Sequence, residues 1–314
     1  MTIKKCKICG ANLENTFNAR EMMFGIRKEF PYAQCSNCQT IQILEIPKDI
    51  ASYYPEYYYS FKQYVPPITG LKAILKRLFK KYRIRKHRHE ILDQLQPLNI
   101  LPTQRILDIG CGRGKLICEM FNYGFKNIQG VDRFIPQEYQ HGHNVKVLQN
   151  DLSELKNDSY DLLMMHHVFE HMEEPMNELA KSYKLLKNNG YLMIRIPVVN
   201  NAWSVYQRDW VQLDAPRHFF IHTEKSINIM AKEVGFTVTN IVYDSNSMQF
   251  WGSELYKKDI SLIDEESKEF RKPDDFFSPA EIADYEQSAK ELNYNNKGDQ
   301  AIFYLQKKEY EKVI

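Results

Sequence analysis

The segment LDIGCGRGKL, residues 107–116, has glycines at positions 110, 112 and 114 directly after an apolar run. A glycine-rich turn between a buried strand and a helix allows the backbone to approach a nucleotide-like ligand closely. The stretch therefore predicts a ligand site at the carboxyl end of a strand. The first question is which ligand the turn would hold.

Three ligand-binding patterns compete for this turn. A P-loop requires glycine at position 109 and Ser or Thr at position 116, where the chain has Ile109 and Leu116, so it is excluded. A dinucleotide fingerprint requires GxGxxG, and Lys115 occupies its third glycine position, which weakens that interpretation without removing it. The third pattern is Asp-x-Gly-x-Gly-x-Gly, beginning at Asp108.

Strand and helix patterns alternate from about residue 105. Strands are predicted at RILDIG, NIQGVD, VKVLQND, YDLLMMHH, GYLMIRIP, FTVTNIVYDS and DQAIFYLQKK. Helices are predicted at KLICEMFNYG, EEPMNELAKSYKLLKNNG and EKSINIMAKEVG, the second of them ending just before Gly190. The alternation predicts an α/β fold: a doubly wound, seven-stranded, mainly parallel Rossmann-like sheet with helices on both faces. Residues 246–298 are too many for an ordinary connection, so we expect a helical insert there.

Two carboxylates and three further segments extend the pattern beyond the glycine turn. Asp132 ends the second strand, where it can accept hydrogen bonds from ribose hydroxyls, and Asp151 closes the third. The segments VFEHMEEP (168–175), LLKNNGYLMIRIP (185–197) and SINIMAKEVGF (226–236) follow in order. From about residue 105 to residue 244 the chain resembles the class I S-adenosylmethionine-dependent methyltransferases, with the Asp108 motif as their first motif.

The resemblance implies a cofactor and the residues that bind it. S-adenosylmethionine has no phosphates, so its turn needs close backbone approach rather than positive charge. Asp108 would assist the methionine ammonium, Asp151 would meet the adenine amino group, and the backbone of Leu152 would lie beside the ring. His167 is expected to line the same pocket. The cofactor-binding prediction is Asp108, Gly110, Gly112, Gly114, Asp132, Arg133, Asp151, Leu152 and His167.

Two CxxC pairs near the N-terminus predict a metal site. Four thiolates offer the tetrahedral ligand set of a structural zinc, and such a closed site leaves no position for water. Gly10 allows the tight turn after the first pair. The predicted ligands are Cys6, Cys9, Cys35 and Cys38. The other two cysteines, Cys111 and Cys118, are expected to be core or turn residues.

Composition limits the class of protein and its location. The net charge of +2 does not demand a polyanionic partner, and no apolar run or leader-like segment stands out, so we expect a cytoplasmic protein. The predicted organisation is a zinc ribbon at 1–48, a tyrosine-rich connector with a basic amphipathic helix at 49–100, and the cofactor-binding domain at 101–314. Oligomeric state is not predicted.

The acceptor is inferred from the combination of these parts. A four-cysteine ribbon, a tyrosine-rich connector and this catalytic body together resemble bacterial sugar and natural-product methyltransferases. That resemblance implies a small hydroxylated acceptor, a nucleotide- or lipid-linked sugar. A hydroxyl is a poor nucleophile, so a general base helps, and His171 and His218 are the candidates. Asp214, Arg217, Trp210 and Tyr58 are the substrate candidates. A purely structural clamp at DAPRHF remains an alternative.

Two other functions stay open. RNA methylation would use the ribbon and a basic helix at 71–88 to grip phosphates, although HHVFEH lacks the Asn/Asp-Pro-Pro-aromatic run of enzymes that methylate exocyclic base nitrogens. The same helix could instead make peripheral contact with anionic lipid. A non-catalytic module is disfavoured by the complete set of cofactor residues.

Overall fold

The structure is a computed structural model that describes residues 4–55, 57–58, 90–141 and 145–308. Its strands are β1 Leu13–Arg20, β2 Glu29–Cys35, β3 Ile41–Ile43, β4 Ile106–Ile109, β5 Ile128–Val131, β6 Tyr139–His141, β7 Val145–Leu148, β8 Tyr160–His166, β9 Leu186–Pro197, β10 Phe220–Ile221, β11 Phe236–Tyr243 and β12 Gln300–Lys307. Its α-helices are α1 Glu90–Leu95, α2 Lys115–Tyr123, α3 Pro175–Leu185, α4 Asn201–Tyr206, α5 Glu224–Val234, α6 Met248–Lys257 and α7 Pro279–Tyr294.

The chain divides into two compact units. The first contains the residues up to Tyr57 together with His167–Leu179 and Ile194–Tyr304, and the second contains Tyr58–His166, Ala180–Met193 and the residues from Leu305 onward. Neither unit is one continuous block of sequence, because strands β9 and β12 each contribute residues to both.

The second unit contains the parallel centre of the main sheet. Strand β4 pairs in parallel with both β5 and β8, and β5 pairs in parallel with β7. All four residues of β4 are buried, as expected for a strand with neighbours on both sides and layers on both faces. Helix α2 follows β4 and ends at Tyr123, and Gly124 caps it in the left-handed conformation.

The main sheet confirms the predicted fold class and adds a strand. Its eight strands have the order β11-β12-β9-β8-β4-β5-β7-β6. The seven predicted strands are all present. The eighth, β6, is a three-residue edge strand antiparallel to β7, too short to show a pattern in the sequence.

One predicted boundary is wrong. Helix α3 ends at Leu185 rather than just before Gly190, and β9 starts at the next residue. Backbone carbonyls at the end of the helix accept hydrogen bonds from outside it, since Asp158 and Ser159 donate to Lys184 and Leu185. Because of these tertiary bonds, the helix ends four residues earlier than its sequence suggests.

The first unit has a sheet of its own. Strands β1, β2, β3 and β10 form it in that order, so the N-terminal hairpin is completed by Phe220–Ile221, far along the chain. Helices α6 and α7 lie in the segment predicted to be helical. Thr223 caps helix α5 and Ser278 caps α7, each through a capping box.

Some predictions fall outside the described residues. The basic helix at 71–88 and most of the tyrosine-rich connector belong to the stretch that the structure leaves out. Among the residues that are described, no helix combines the length and the apolar character needed to cross a membrane.

Candidate functional site

The glycine turn after β4 has a positive φ at each of its three glycines. Gly110, Gly112 and Gly114 have φ values of +68°, +54° and +82°. A side chain at Gly114 would be strained by that φ, and its Cβ would lie 2.6 Å from Cγ2 of Val147. The turn therefore depends on glycine for both its conformation and its close packing.

Asp132 holds the glycine turn in place. Its Oδ2 accepts a hydrogen bond from the Gly112 amide at 2.9 Å, and its Oδ1 accepts one from the Phe134 amide at 2.8 Å. The carboxylate thus joins the loop after β4 to the loop after β5. Each oxygen retains a further lone pair, which is what a ribose hydroxyl would need.

Asp108 is a buried acid beneath the same turn. It is 3 % exposed, and burial, with a smaller contribution from the charge of Asp132, raises its pKa to about 8. A carboxyl group in this position gains most from a cationic neighbour, because a positive charge would offset the cost of burying the anion.

Asp151 is held as an anion at the end of β7. Its Oδ1 accepts hydrogen bonds from the Ser153 amide at 3.0 Å and from Lys181 Nζ at 2.8 Å. These contacts, led by the Lys181 bond, hold the pKa of Asp151 well below its usual range. Arg133 Nη1 lies 3.6 Å from Oδ2, and Leu152 is buried beside it.

The four predicted zinc ligands converge in the first unit. Sulfur atoms of Cys6 and Cys38 are 3.6 Å apart, and those of Cys9 and Cys35 are 3.4 Å apart. These distances are far longer than the disulfide bond of about 2.05 Å. They approach the spacing of about 3.8 Å between sulfurs that bind one tetrahedral zinc at 2.3 Å. The cluster therefore fits a zinc ion.

Two histidines of the first unit are fixed by backbone carbonyls. His171 Nδ1 bonds to the Arg217 carbonyl oxygen at 2.8 Å, and His218 Nδ1 bonds to that of Gln212 at 2.8 Å. A carbonyl can only accept, so each Nδ1 carries a proton and donates it, and Nε2 is the ring nitrogen left to face a ligand. Burial, aided by the nearby His171, lowers the pKa of His218 to about 4, so its ring is neutral at pH 7.

Glu170 supplies a carboxylate to this pair of histidines. It is fully buried, and neither oxygen has a hydrogen-bond partner within the described part of the chain. Oε1 lies 3.9 Å from His218 Nε2 and 3.5 Å from His167 Nδ1. Burial opposes ionisation of Glu170, but its histidine neighbours outweigh that effect and lower its pKa to about 2. We call Glu170, His171 and His218 the Glu–His cluster.

Arg217 lies at the centre of a buried ion network. The side chain is fully buried and donates to both Asp214 oxygens, at 3.0 and 2.6 Å, and to Glu21 Oε1 at 2.7 Å. A fourth bond reaches the Tyr53 carbonyl at 3.0 Å. Such a pairing satisfies the guanidinium within the protein and fixes the loop that carries His218.

The remaining predicted residues have these positions. Trp210 is fully buried and donates its indole N–H to Asp299 at 2.9 Å. His167 accepts from Arg195 Nη1 at 3.1 Å. Tyr58 is buried. By unit, the second holds Asp108, the three glycines, Asp132, Arg133, Asp151, Leu152 and Tyr58, and the first holds His167, His171, Trp210, Asp214, Arg217, His218 and the four cysteines.

Sequence reasoning missed three residues of the first unit's polar interior. Glu170 was adjacent to a predicted histidine, so its position in FEH was the available signal. Glu21 had no signal in the sequence, because its ion-pair partner Arg217 is distant along the chain. Tyr54, whose hydroxyl is 3.3 Å from His171 Nδ1, was hidden within a run of similar tyrosines.

Comparison with known proteins assigns the family. A family described as methyltransferase domain matches residues 74–241, more than half of the chain. The chain belongs to this family, and it is a class I S-adenosylmethionine-dependent methyltransferase. A comparison with curated protein sequences finds no match.

Solved structures with a similar fold are distant in sequence. A SAM-dependent methyltransferase from Archaeoglobus fulgidus is 20% identical, with a TM-score of 0.42 over 76% of this chain and 100% of its own. One from Thermotoga maritima, described as a possible histamine N-methyltransferase, is 18% identical, with a TM-score of 0.42 over 76% and 100%. One from Mesorhizobium loti is 14% identical, with a TM-score of 0.43 over 68% and 96%. The family match alone carries the assignment.

Proposed function

We propose that this methyltransferase methylates a hydroxyl of a small acceptor, a nucleotide- or lipid-linked sugar. The observation that carries the proposal is the Glu–His cluster, which brings a carboxylate and two imidazoles within 4.8 Å of one another. S-adenosylmethionine supplies an electrophilic methyl group on sulfur. The acceptor oxygen forms a bond to that carbon as the sulfur–carbon bond breaks, and the electron pair leaves with S-adenosylhomocysteine.

The donor would be bound by residues of the second unit. The glycine turn fits the close backbone approach that the cofactor requires, and Asp132 keeps lone pairs for the ribose hydroxyls. Asp108 is suited to the methionine ammonium because a cation stabilises its buried carboxylate. Arg133, Asp151 and Leu152 would surround the adenine, and the predicted cofactor role of His167, which belongs to the first unit, stays a prediction.

The acceptor hydroxyl would lose its proton at the Glu–His cluster. A neutral hydroxyl is a weak nucleophile at pH 7, so its activation has to be part of the reaction. The lone pairs at Nε2 of His171 and His218 and the Glu170 carboxylate can all accept an O–H hydrogen bond. His218 is buried, whereas His171 is partly exposed, so a ligand would reach the cluster from the His171 side.

The predicted substrate residues support this site in different ways. Asp214 and Arg217 bond to each other within the protein, and Trp210 bonds to Asp299. We propose that these three build the loop that carries His218 rather than touch the acceptor. The predicted substrate role of Tyr58, which belongs to the second unit, stays a prediction.

We also propose that the four cysteines hold a structural zinc. The sulfur spacing fits tetrahedral coordination, and backbone amides of Ile8, Asn37 and Cys38 point at Sγ of Cys6 or Cys35 at 3.4 Å. With four thiolate ligands the ion would have no open position, so it would stabilise the N-terminal module and take no part in the chemistry.

Methyl transfer to a set of acceptors tests the proposal. The protein is incubated with radiolabelled S-adenosylmethionine and either a pool of nucleotide sugars and lipid-linked sugar phosphates or total RNA. Label in the sugar pool that is stable to mild base, as an ether is, supports the proposal. Label in RNA alone would contradict the proposal and favour RNA methylation, in which the ribbon would help to bind the RNA. Calorimetric titration with S-adenosylhomocysteine establishes beforehand that the donor site is intact.

A further inference from the structure

The Glu–His cluster brings three ligand-type atoms together around one point. One oxygen of Glu170 and one ring nitrogen each of His171 and His218 all lie within 4.8 Å of one another. Both Glu170 oxygens are buried and lack a hydrogen bond of regular geometry among the described residues, with His167 Nδ1 3.5 Å from Oε1. A carboxylate left in this way is costly, and its presence calls for a ligand that satisfies it.

The hydrogen bonds of the two rings show which of their atoms could bind a ligand. Both Nδ1 atoms donate to backbone carbonyls, so Nε2 is the atom that each ring can offer. Oε1 of Glu170 and Oδ2 of Asp214 lie 3.9 and 3.8 Å from His218 Nε2, beyond hydrogen-bond distance. Nε2 of His218 and these two carboxylate oxygens therefore face one another without a hydrogen bond, and a cation between them would attract both oxygens.

We propose that Glu170, His171 and His218 bind a divalent first-row transition-metal ion. Two imidazoles and a carboxylate are a common ligand set for such ions, and they leave further coordination positions open. Metal-binding histidines almost always donate their other N–H to a carbonyl or carboxylate, as both of these do. Nitrogen and oxygen atoms about 2.1 Å from a tetrahedral ion lie about 3.4 Å apart, so the 3.9 Å separation of Glu170 and His218 needs to close only slightly.

The ion would explain how the cluster activates an acceptor, and in this respect the inference rests on the proposed function. With the ion bound, the ring nitrogens would hold the metal instead of accepting the proton. A hydroxyl at an open position would have a lowered pKa, its proton would pass to water, and its oxygen would be the nucleophile of the methyl transfer. The metal would not change its oxidation state in this reaction.

Cobalt substitution tests the proposal without any assay of activity. Full-length protein is stripped with a chelator and titrated with Co²⁺. Thiolate-bound cobalt gives an intense near-ultraviolet charge-transfer band, whereas cobalt bound by nitrogen and oxygen gives only weak visible bands. We expect the wild type to bind one cobalt without the thiolate band, in addition to any bound by the cysteines.

Glu170→Gln and His218→Gln should weaken the nitrogen- and oxygen-bound cobalt by more than about tenfold while the thiolate band is unchanged. Glu173→Gln is the matched control, because Glu173 is exposed and close in sequence to the cluster. A wild-type protein that shows only thiolate-bound cobalt would overturn the inference, whatever the folding of the variants. So would equal cobalt binding by Glu170→Gln and wild type.

Failure of this inference is distinguishable from failure of the proposed function. Metal binding is read from cobalt spectra and stoichiometry, and methyl transfer is read from labelled sugar. Labelled sugar from protein that holds no nitrogen- and oxygen-bound metal would overturn the metal site and leave the function intact. If cobalt binds at the cluster but only RNA is labelled, the metal site is supported and the sugar acceptor is contradicted.

Discussion

Oε1 of Glu170 and Nε2 of His218 lie 3.9 Å apart inside the first unit, too far for a hydrogen bond and close enough to contact one ligand atom together. Both side chains are buried, and the loops that carry them are distant in sequence. This approach is the core of the functional proposal, in which a carboxylate and an imidazole act together on one acceptor hydroxyl.

Loss of either cluster histidine should reduce turnover and leave donor binding unchanged. We expect His171→Gln and His218→Gln each to lower kcat by about 10²–10⁴, the usual contribution of such a group to proton removal. S-adenosylhomocysteine titration reports donor binding in the same preparations, with Glu173→Gln as the control for local substitution. Full turnover in both histidine variants would mean that neither ring activates the acceptor.

Donor binding should strengthen as pH rises. Burial raises the pKa of Asp108 to about 8, so at pH 6.5 the group is largely protonated and pairs poorly with an ammonium. Between pH 6.5 and 8.5 it ionises, and we expect the Kd for S-adenosylhomocysteine to fall on the order of tenfold. Calorimetry on wild type and Asp108→Asn checks this. A similar dependence of the Kd on pH in both proteins would exclude Asp108 as the source of that dependence.

The glycine turn should not tolerate a methyl group at Gly114. Gly114→Ala would place Cβ 2.6 Å from Val147 at a strained φ of +82°, and we expect donor binding to be lost. Gly124→Ala is the matched control, because Gly124 also has a positive φ, yet a Cβ there would have nothing within 4 Å. Calorimetric titration with S-adenosylhomocysteine compares the two. If Gly114→Ala and Gly124→Ala bound S-adenosylhomocysteine with equal affinity, the close packing of the turn would not be required for donor binding.

Removal of one zinc ligand should release the metal and destabilise the N-terminal module. For Cys9→Ser we expect zinc to fall by about one equivalent per chain in elemental analysis, with a lower Tm. Cys111→Ser is the control, because Cys111 lies outside the four-cysteine cluster. The zinc assignment would be refuted if Cys9→Ser retained as much metal as Cys111→Ser.

Buried His222 should make the protein sensitive to acid. Burial lowers its pKa to about 3, whereas in the unfolded chain it is about 6.5. Between these values only the unfolded state takes up the proton, so stability that is present above pH 6.5 is lost as pH falls. From pH 7 to pH 5 the wild type should lose about 2 kcal/mol more free energy of unfolding than His222→Phe. Urea titrations at both pH values measure the difference, and parallel losses would contradict it.

Local sequence patterns account for most of the fold. The glycine turn, the strands β4, β5, β7 and β8 and the cap at Gly235 all follow from residues near one another in the chain. The end of α3 and the strand β10 could not be predicted from local sequence, because hydrogen bonds to partners distant in sequence determine where they lie. For the same reason, the histidines of the site were found from their motifs, whereas Glu21 became visible only beside Arg217.

The most direct test of the central claim is transfer of labelled methyl from S-adenosylmethionine to a nucleotide-sugar pool, compared between wild type and His171→Gln. The account predicts a labelled sugar ether with the wild type and at least a hundredfold lower rate with the variant at equal donor binding. Label confined to RNA, or equal sugar labelling by the two proteins, would contradict it.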